Sequence, residues 1–193
     1  MTENRKKVLI AEDEAIIRLD LKEMLEEEGY DVVGEAADGD AAIRLTEERD
    51  PDLVIMDIKM PGMDGLTAAE RIVERDLAAV LILTAFSQRD LVQRAAEAGA
   101  LAYLVKPFQK SDLIPAIDVA LARHDQMAAL RKETSDLTEQ LETRKVVDRA
   151  KGRLMDESGL TEAEAFRAIQ KRAMDERRPM KDVAQEVMEG PPA

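Results

Sequence analysis

The sequence predicts an α/β domain built on a doubly wound, five-stranded parallel sheet, followed by a small all-α domain. Three observations carry this. Five short apolar runs recur with helix-patterned segments between them: VLIAE (8–12), VVGEA (32–36), LVIMD (53–57), AVLILT (79–84) and LAYLV (101–105). After about residue 111 such runs stop and the chain reads as helix. The charge also changes: residues 144–183 hold eleven Lys or Arg against eight Asp or Glu, in a chain of formal net charge -13.

The β-branched or continuous apolar character of the runs suits strands buried on both faces. Between the first two, Ile17, Leu21, Met24 and Leu25 recur at helical spacing, and Gly29 stops the helix. Strand and helix alternating five times argues for parallel pairing with right-handed crossovers. In such sheets ligands bind beyond the carboxyl ends of the strands. Past residue 111, Leu130, Leu137 and Leu141 suggest a short heptad-like seam interrupted by polar residues such as Thr134. Gly159 punctuates the chain. Thr161 and Glu164 form a capping-box pattern opening a helix with Ala165, Ile169 and Ala173 on one face and Phe166, read as core-facing, beside it. Pro179 starts a last helix, with Met180, Val183, Ala184 and Val187 on one face.

Composition excludes several classes. With no cysteine there are no disulfides or thiolate metal sites, and with His124 as the single histidine there is no multi-His site within one chain. No apolar run reaches the roughly 18 residues of a membrane span. The start MTENRKKVLIAEDE lacks the apolar region of a secretory signal, so the expected location is cytoplasmic. An acidic chain should avoid nucleic acid only if its charge is evenly spread, and here it is not.

What ends the strands is informative. The first run ends in Glu12-Asp13 and the third in Asp57. Converging carboxylates repel one another, and a hard divalent cation, Mg²⁺ above all, relieves that. The fourth run ends in Thr84, and Lys106-Pro107 follows the fifth. An acid pair, a central Asp, a hydroxyl and an ammonium make a site for accepting a phosphoryl group on Asp57 as an acyl phosphate. A lone Asp or Thr at a strand end is usually structural; the combination is what is specific.

These stretches, LIAEDE, DLVIMDIKMPGMDG, LILTAF and AYLVKPF, resemble the receiver domain of two-component response regulators over about residues 5–123. The resemblance implies a flavodoxin-like fold, with Asp57 phosphorylated by a sensor histidine kinase acting in trans. Glu12, Asp13, Asp57 and the backbone carbonyl of Lys59 would hold Mg²⁺. Thr84 would move toward the phosphoryl group, with Tyr103 as the coupled aromatic switch and Lys106 as the ion partner. Phe86, just past Thr84, is read as a packing residue. Such a site is a switch rather than an enzyme, with at most slow self-dephosphorylation.

The basic helix RKVVDRAKGRLMDESG (144–159) raises a separate question. At about 100° per residue, with Val147 at zero, Lys145, Arg149 and Arg153 fall at about 160°, 200° and 240°, opposite Leu154 and Ala150. Gly152 lies beside that stripe, while Lys151 and Arg144 sit nearer the apolar edge. A mid-helix glycine costs about 0.5–1 kcal/mol relative to alanine. Close approach by another helix or by a ligand backbone would each justify it.

Residues 133–189 resemble the ANTAR output domain of AmiR/NasR-type antitermination regulators, at Ala150-Lys151-Gly152, Leu154-Met155, Gly159-Leu160, Ala165-Phe166, Ala173-Met174 and Asp182-Val183-Ala184. A helical coiled-coil linker, 124–143, overlaps the start of this module. The resemblance implies a three-helix domain binding paired RNA stem-loops with hexanucleotide loops in nascent transcripts. Arg144, Arg149, Lys151, Gly152, Arg153, Arg172 and Arg178 are the expected RNA-binding residues. The reading is a phosphorylation-controlled antiterminator that forms a homodimer on phosphorylation; the alternative is a receiver-controlled protein-interaction module without RNA binding. An enzymatic output is disfavoured for want of Cys, His or a phosphate loop, and a DNA-binding output for want of a recognition helix.

Overall fold

The computed structural model describes residues 5–85 and 89–190. The chain divides into two compact units, residues 1–128 and 129–193.

The first unit alternates strand and helix: β1 (Lys7–Ala11), α1 (Ala15–Glu27), β2 (Asp31–Ala36), α2 (Gly39–Arg49), β3 (Leu53–Asp57), α3 (Gly65–Glu74), β4 (Ala79–Thr84), α4 (Arg89–Glu97) and β5 (Ala102–Val105). A long helix, α5 (Lys110–Ser158), follows. The strands form one parallel sheet in the order β2-β1-β3-β4-β5. The period of two along each strand divides the core into two layers. Leu9, Val54, Met56, Val80 and Ile82 face α2, α3 and Ala95 of α4. Val8, Ile10, Leu53, Ile55 and Leu81 face Leu21 and Leu25 of α1 and Leu113 and Ile117 of α5. Each such side chain contributes about 1.5–3 kcal/mol on burial.

Burial on both faces holds for β3 and β4, where every residue is buried, and nearly so for β1. It does not hold for β2 and β5, which are the sheet edges and are only partly covered. Strand order reverses between β1 and β3, so their carboxyl ends flank the crevice where such sheets bind ligands. Gly29 ends α1 at φ +85, where a side chain is disfavoured.

α5 is unbroken from Lys110 to Ser158, so the last helix of the α/β domain, the expected linker and the first output helix are a single element. Leu130, Leu137 and Leu141 on it are exposed. The second unit joins the later part of α5 to α6 (Glu162–Glu176) and α7 (Met180–Glu189). Thr161 caps α6 through the expected box, its side chain accepting from the Glu164 N–H while Glu164 accepts from the Thr161 N–H. The core is small-residue packing: Val147, Ala150, Ile169, Ala173, Val183 and Ala184. Phe166 is not part of it; at 40% exposed it corrects the core-facing reading. No described helix is long and apolar enough to cross a membrane.

Candidate functional site

The carboxylate site is built by the ends of four strands. The Glu12 N–H donates to the Ala36 carbonyl at 3.0 Å, extending the β1–β2 ladder one residue and seating Glu12 at the top of β1. Asp57 ends β3, and the Ile58 N–H donates to the Leu83 carbonyl at 3.2 Å. Lys106 is placed by its N–H, which donates to the Thr84 carbonyl at 2.8 Å. Gly65 is obligatory at the start of α3: its N–H donates to the Ile58 carbonyl at 2.9 Å, and a Cβ there would lie 1.8 Å from the Asp57 carbonyl oxygen.

These segments enclose a cavity of about 210 Å³ lined by Asp13, Asp57, Lys59, Thr84, Ala85 and Lys106. Oxygens of Glu12, Asp13 and Asp57 lie within 4.8 Å of one another. Glu12 is fully buried, Asp57 and Thr84 nearly so, and Asp13 is open to solvent. The Lys106 ammonium reaches Glu12 Oε2 at 2.5 Å and Asp57 Oδ1 at 3.1 Å. Burial pushes the Glu12 and Asp57 carboxyls above their usual range, and Lys106 only partly offsets this. Burial also opposes charge on Lys106, but Glu12 and Asp57 outweigh it and raise its pKa. The raised Lys106 is the direction that decides the site, because removing its proton would leave two buried carboxylates facing each other. Three carboxylates against one ammonium leave an excess of two negative charges. An all-oxygen donor set with that excess, open on the Asp13 side, fits a hard divalent cation that keeps part of its water shell.

One participant was missed from sequence. Arg18, on the first turn of α1, donates from its guanidinium to the Glu12 carbonyl at 2.5 Å and lies 3.4 Å from both the Asp13 carbonyl and the Glu35 carboxylate. It ties the loop bearing the acid pair to β2. An arginine among apolar helix positions reads as a solvated face, so only the fold reveals this. Lys59 contributes its backbone region to the cavity while its side chain is exposed. Tyr103 is 50% exposed on β5 and does not line the cavity. Phe86 lies outside the described residues.

The basic residues of the second unit fall into two groups. Lys151 bridges Asp148 and Glu162, each at 2.8 Å, joining α5 to α6. Arg153 pairs with Glu157 at 2.7 Å and donates to the Met188 carbonyl. Arg172 and Arg178 share Glu176 and Glu186, joining α6 to α7. Arg144 has only a long contact, 3.9 Å, to Asp148. Lys145 and Arg149 are exposed and, among the described residues, have no side-chain hydrogen bond or ion pair, and the same holds for Lys132, Lys171 and Arg177. Phe166, Val147 and Met180 line an open groove rimmed by Arg144, Asp148 and Lys151. Around Gly152, a Cβ would meet nothing within 4 Å, so packing within the chain does not require glycine there.

Comparison with known proteins agrees with both halves of this description. The response regulator receiver domain model matches residues 8–118, and the ANTAR domain model matches residues 135–188. Transcriptional regulatory protein PdtaR of Mycobacterium tuberculosis is 59% identical over 184 residues, covering 95% of this chain and 90% of that protein. Among solved structures, the signal receiver domain of NarL from Mycobacterium tuberculosis matches at TM-score 0.60 and 29% identity, over 62% of this chain and 98% of that one. CheY in the CheX-CheY-BeF3-Mg complex of Borrelia burgdorferi matches at TM-score 0.56 and 30% identity, over 58% of this chain and 86% of that one.

Proposed function

The chain belongs to the response regulator receiver family and carries an ANTAR domain, and from that premise we propose that it is a phosphorylation-controlled, RNA-binding transcription antiterminator. The observation that carries the first half is the cavity in which Asp57 meets Asp13, Thr84 and Lys106, with Glu12 buried beside it on Lys106.

Asp57 is the nucleophile. Its carboxylate oxygen attacks the phosphorus of a phosphohistidine on a sensor kinase; the O–P bond forms as the P–N bond breaks, and the imidazole leaves. Lys106, already 3.1 Å from Asp57, holds its positive charge where the phosphoryl oxygens arrive. Thr84 supplies a hydroxyl at the cavity wall for the arriving phosphoryl oxygens, and Tyr103, half exposed on β5, is the aromatic switch coupled to it. Glu12, Asp13, Asp57 and the Lys59 carbonyl would hold Mg²⁺, which when bound supplies charge compensation for the phosphoryl oxygens. The protein is a phosphoryl acceptor and not an enzyme in its own right, apart from slow self-dephosphorylation. Its single histidine, His124, lies on α5 away from the cavity, so the donor acts in trans.

The second half rests on the ANTAR match and on the basic surface of the second unit. The ligand is paired RNA stem-loops with hexanucleotide loops. Phosphorylation promotes a homodimer, so that two modules engage two loops and gain through effective concentration. Crosslinking in cells followed by sequencing of bound RNA, comparing wild type with Asp57→Ala, tests the whole reading. Enrichment of paired stem-loops that depends on Asp57 is expected. No enrichment would replace it with a receiver-controlled protein-interaction module.

A further inference from the structure

We propose that Glu35 on β2 is a positioning residue for the acid pair Glu12-Asp13, acting through Arg18, and that a bulge in β2 is what seats it there. This rests on the metal-site reading above and gives that site a support outside its own wall, since neither Glu35 nor Arg18 lines the cavity.

The pairing register comes first. Val8 pairs with Val32 but Leu9 pairs with Gly34, so β2 carries one extra residue, Val33, against β1. In a regular strand, residues three apart lie on opposite faces. The bulge puts Val32 and Glu35 on the same face: Val32 packs in the layer facing α1 and α5, and Glu35 reaches Lys22 of α1 at 2.8 Å and Arg18 at 3.4 Å. Without the extra residue Glu35 would fall opposite Ala11, on the face away from α1. Gly34 suits the bulge, because a Cβ there would crowd Leu9 at 3.3 Å. The second observation is what Arg18 holds. Its Nη1 donates to the backbone carbonyls of both Glu12 and Asp13, while its Nε faces Glu35. One guanidinium therefore joins the loop of the acid pair to β2. Third, Glu35 is itself fixed: Lys22 foremost, and Arg18, hold its carboxyl below the usual range, so it is charged at neutral pH. A plain ion pair between α1 and β2 would contribute about 0–1 kcal/mol of stability and leave the metal site alone. This one differs because the same cation grips the backbone on which the acid pair stands.

The test is the Mg²⁺ affinity of the full chain, measured by calorimetry at fixed salt, beside the melting temperature without Mg²⁺. Arg18→Gln separates charge from position by sign. Removing a cation near the site tightens Mg²⁺ binding if charge alone matters. Losing the brace weakens it, and a weakening of about tenfold is expected. Glu35→Gln should weaken binding about threefold in the wild-type background and have no effect in the Arg18→Gln background, because its influence passes through the guanidinium. Lys22→Gln, which leaves Arg18 and Glu35 together, should change affinity less than about twofold. Without metal, hydrogen exchange at the Glu14 N–H, which donates to Glu12 Oε1 at 3.3 Å, should quicken in Arg18→Gln and Glu35→Gln while the melting temperature stays near that of wild type. Unchanged or tighter Mg²⁺ binding by Arg18→Gln overturns the proposal and leaves a surface ion pair. Equal losses for Glu35→Gln in both backgrounds overturn the route through Arg18. Wild type that takes up no Mg²⁺ overturns the metal-site reading, and the proposal with it.

Discussion

The two units put their charges to opposite uses. In the first, the functional charges are drawn in from solvent: Glu12 and Asp57 are buried and Lys106 is half-buried at the top of a sheet with two apolar layers, and none is neutralised one for one. In the second, the charges are on the surface and many are matched, as in the clusters of Arg172 and Arg178 with Glu176 and Glu186. A buried unbalanced charge needs a large core to hold it, and the first unit has two apolar layers. The second has a single small cluster dominated by Ala and Val, which can hold a shape but not a desolvated charge.

Substitutions can break or sharpen that contrast. The largest effect is expected in the thinner core. Ile169 is the bulkiest side chain of its buried cluster, and Ile169→Ala should cost about 2–5 kcal/mol, seen as selective loss of protection of the second unit in hydrogen exchange. Comparable protection of α6 and α7 in wild type and variant would show that the cluster is not what holds them. Next, Gly65→Ala drives a methyl into the Asp57 carbonyl and should destabilise the first unit by about 1–3 kcal/mol or more in thermal unfolding. An unchanged melting temperature would mean that α3 shifts freely, and the site with it.

Smaller effects probe the charges directly. Arg18→Ala releases the loop carrying Glu12 and Asp13 and should weaken Mg²⁺ binding about tenfold, about 1.4 kcal/mol, in a fluorescence or calorimetric titration with the fold intact. The smallest concerns Asp52. Partial burial raises its carboxyl, but the Lys7 N–H at 2.8 Å and the Lys6 ammonium at 3.0 Å outweigh that and lower it overall. A depressed folded-state pKa stabilises above the unfolded value, and that stability fades as pH falls through the folded value. Asp52→Asn should therefore cost about 0.5–1.5 kcal/mol at neutral pH, less for its partial exposure, and the difference should vanish in acid. A difference independent of pH would assign the loss to hydrogen bonding alone.

The same contrast explains what could be read without coordinates. The sheet was legible because continuous apolar runs such as LVIMD and AVLILT have few other uses, and the carboxylate site was legible because rare residue types end those runs. Edge and centre were not distinguishable: VVGEA and LAYLV resemble the buried strands in composition, and only pairing order places them outside. Arg18 was missed because its partners are backbone carbonyls and a carboxylate on a neighbouring strand. In the second unit the basic stripe was visible, but its neutralisation was not. The partners of Lys151 and Arg172 include Glu162 and Glu186 from other helices, beyond the reach of helical periodicity. Phe166 misled for a related reason: at about 100° per residue it falls within about 20° of Ala173 on the helix wheel, yet it is left lining an open groove.

The central claim is that the buried charge site governs the unmatched surface. Its most direct test is the affinity of the full chain for a two-hairpin RNA at fixed salt, measured with and without beryllofluoride and Mg²⁺, for wild type and Asp57→Ala. Wild type should bind at least tenfold tighter when beryllofluoride is present, and Asp57→Ala should not respond. Equal wild-type affinity in both conditions would contradict the account.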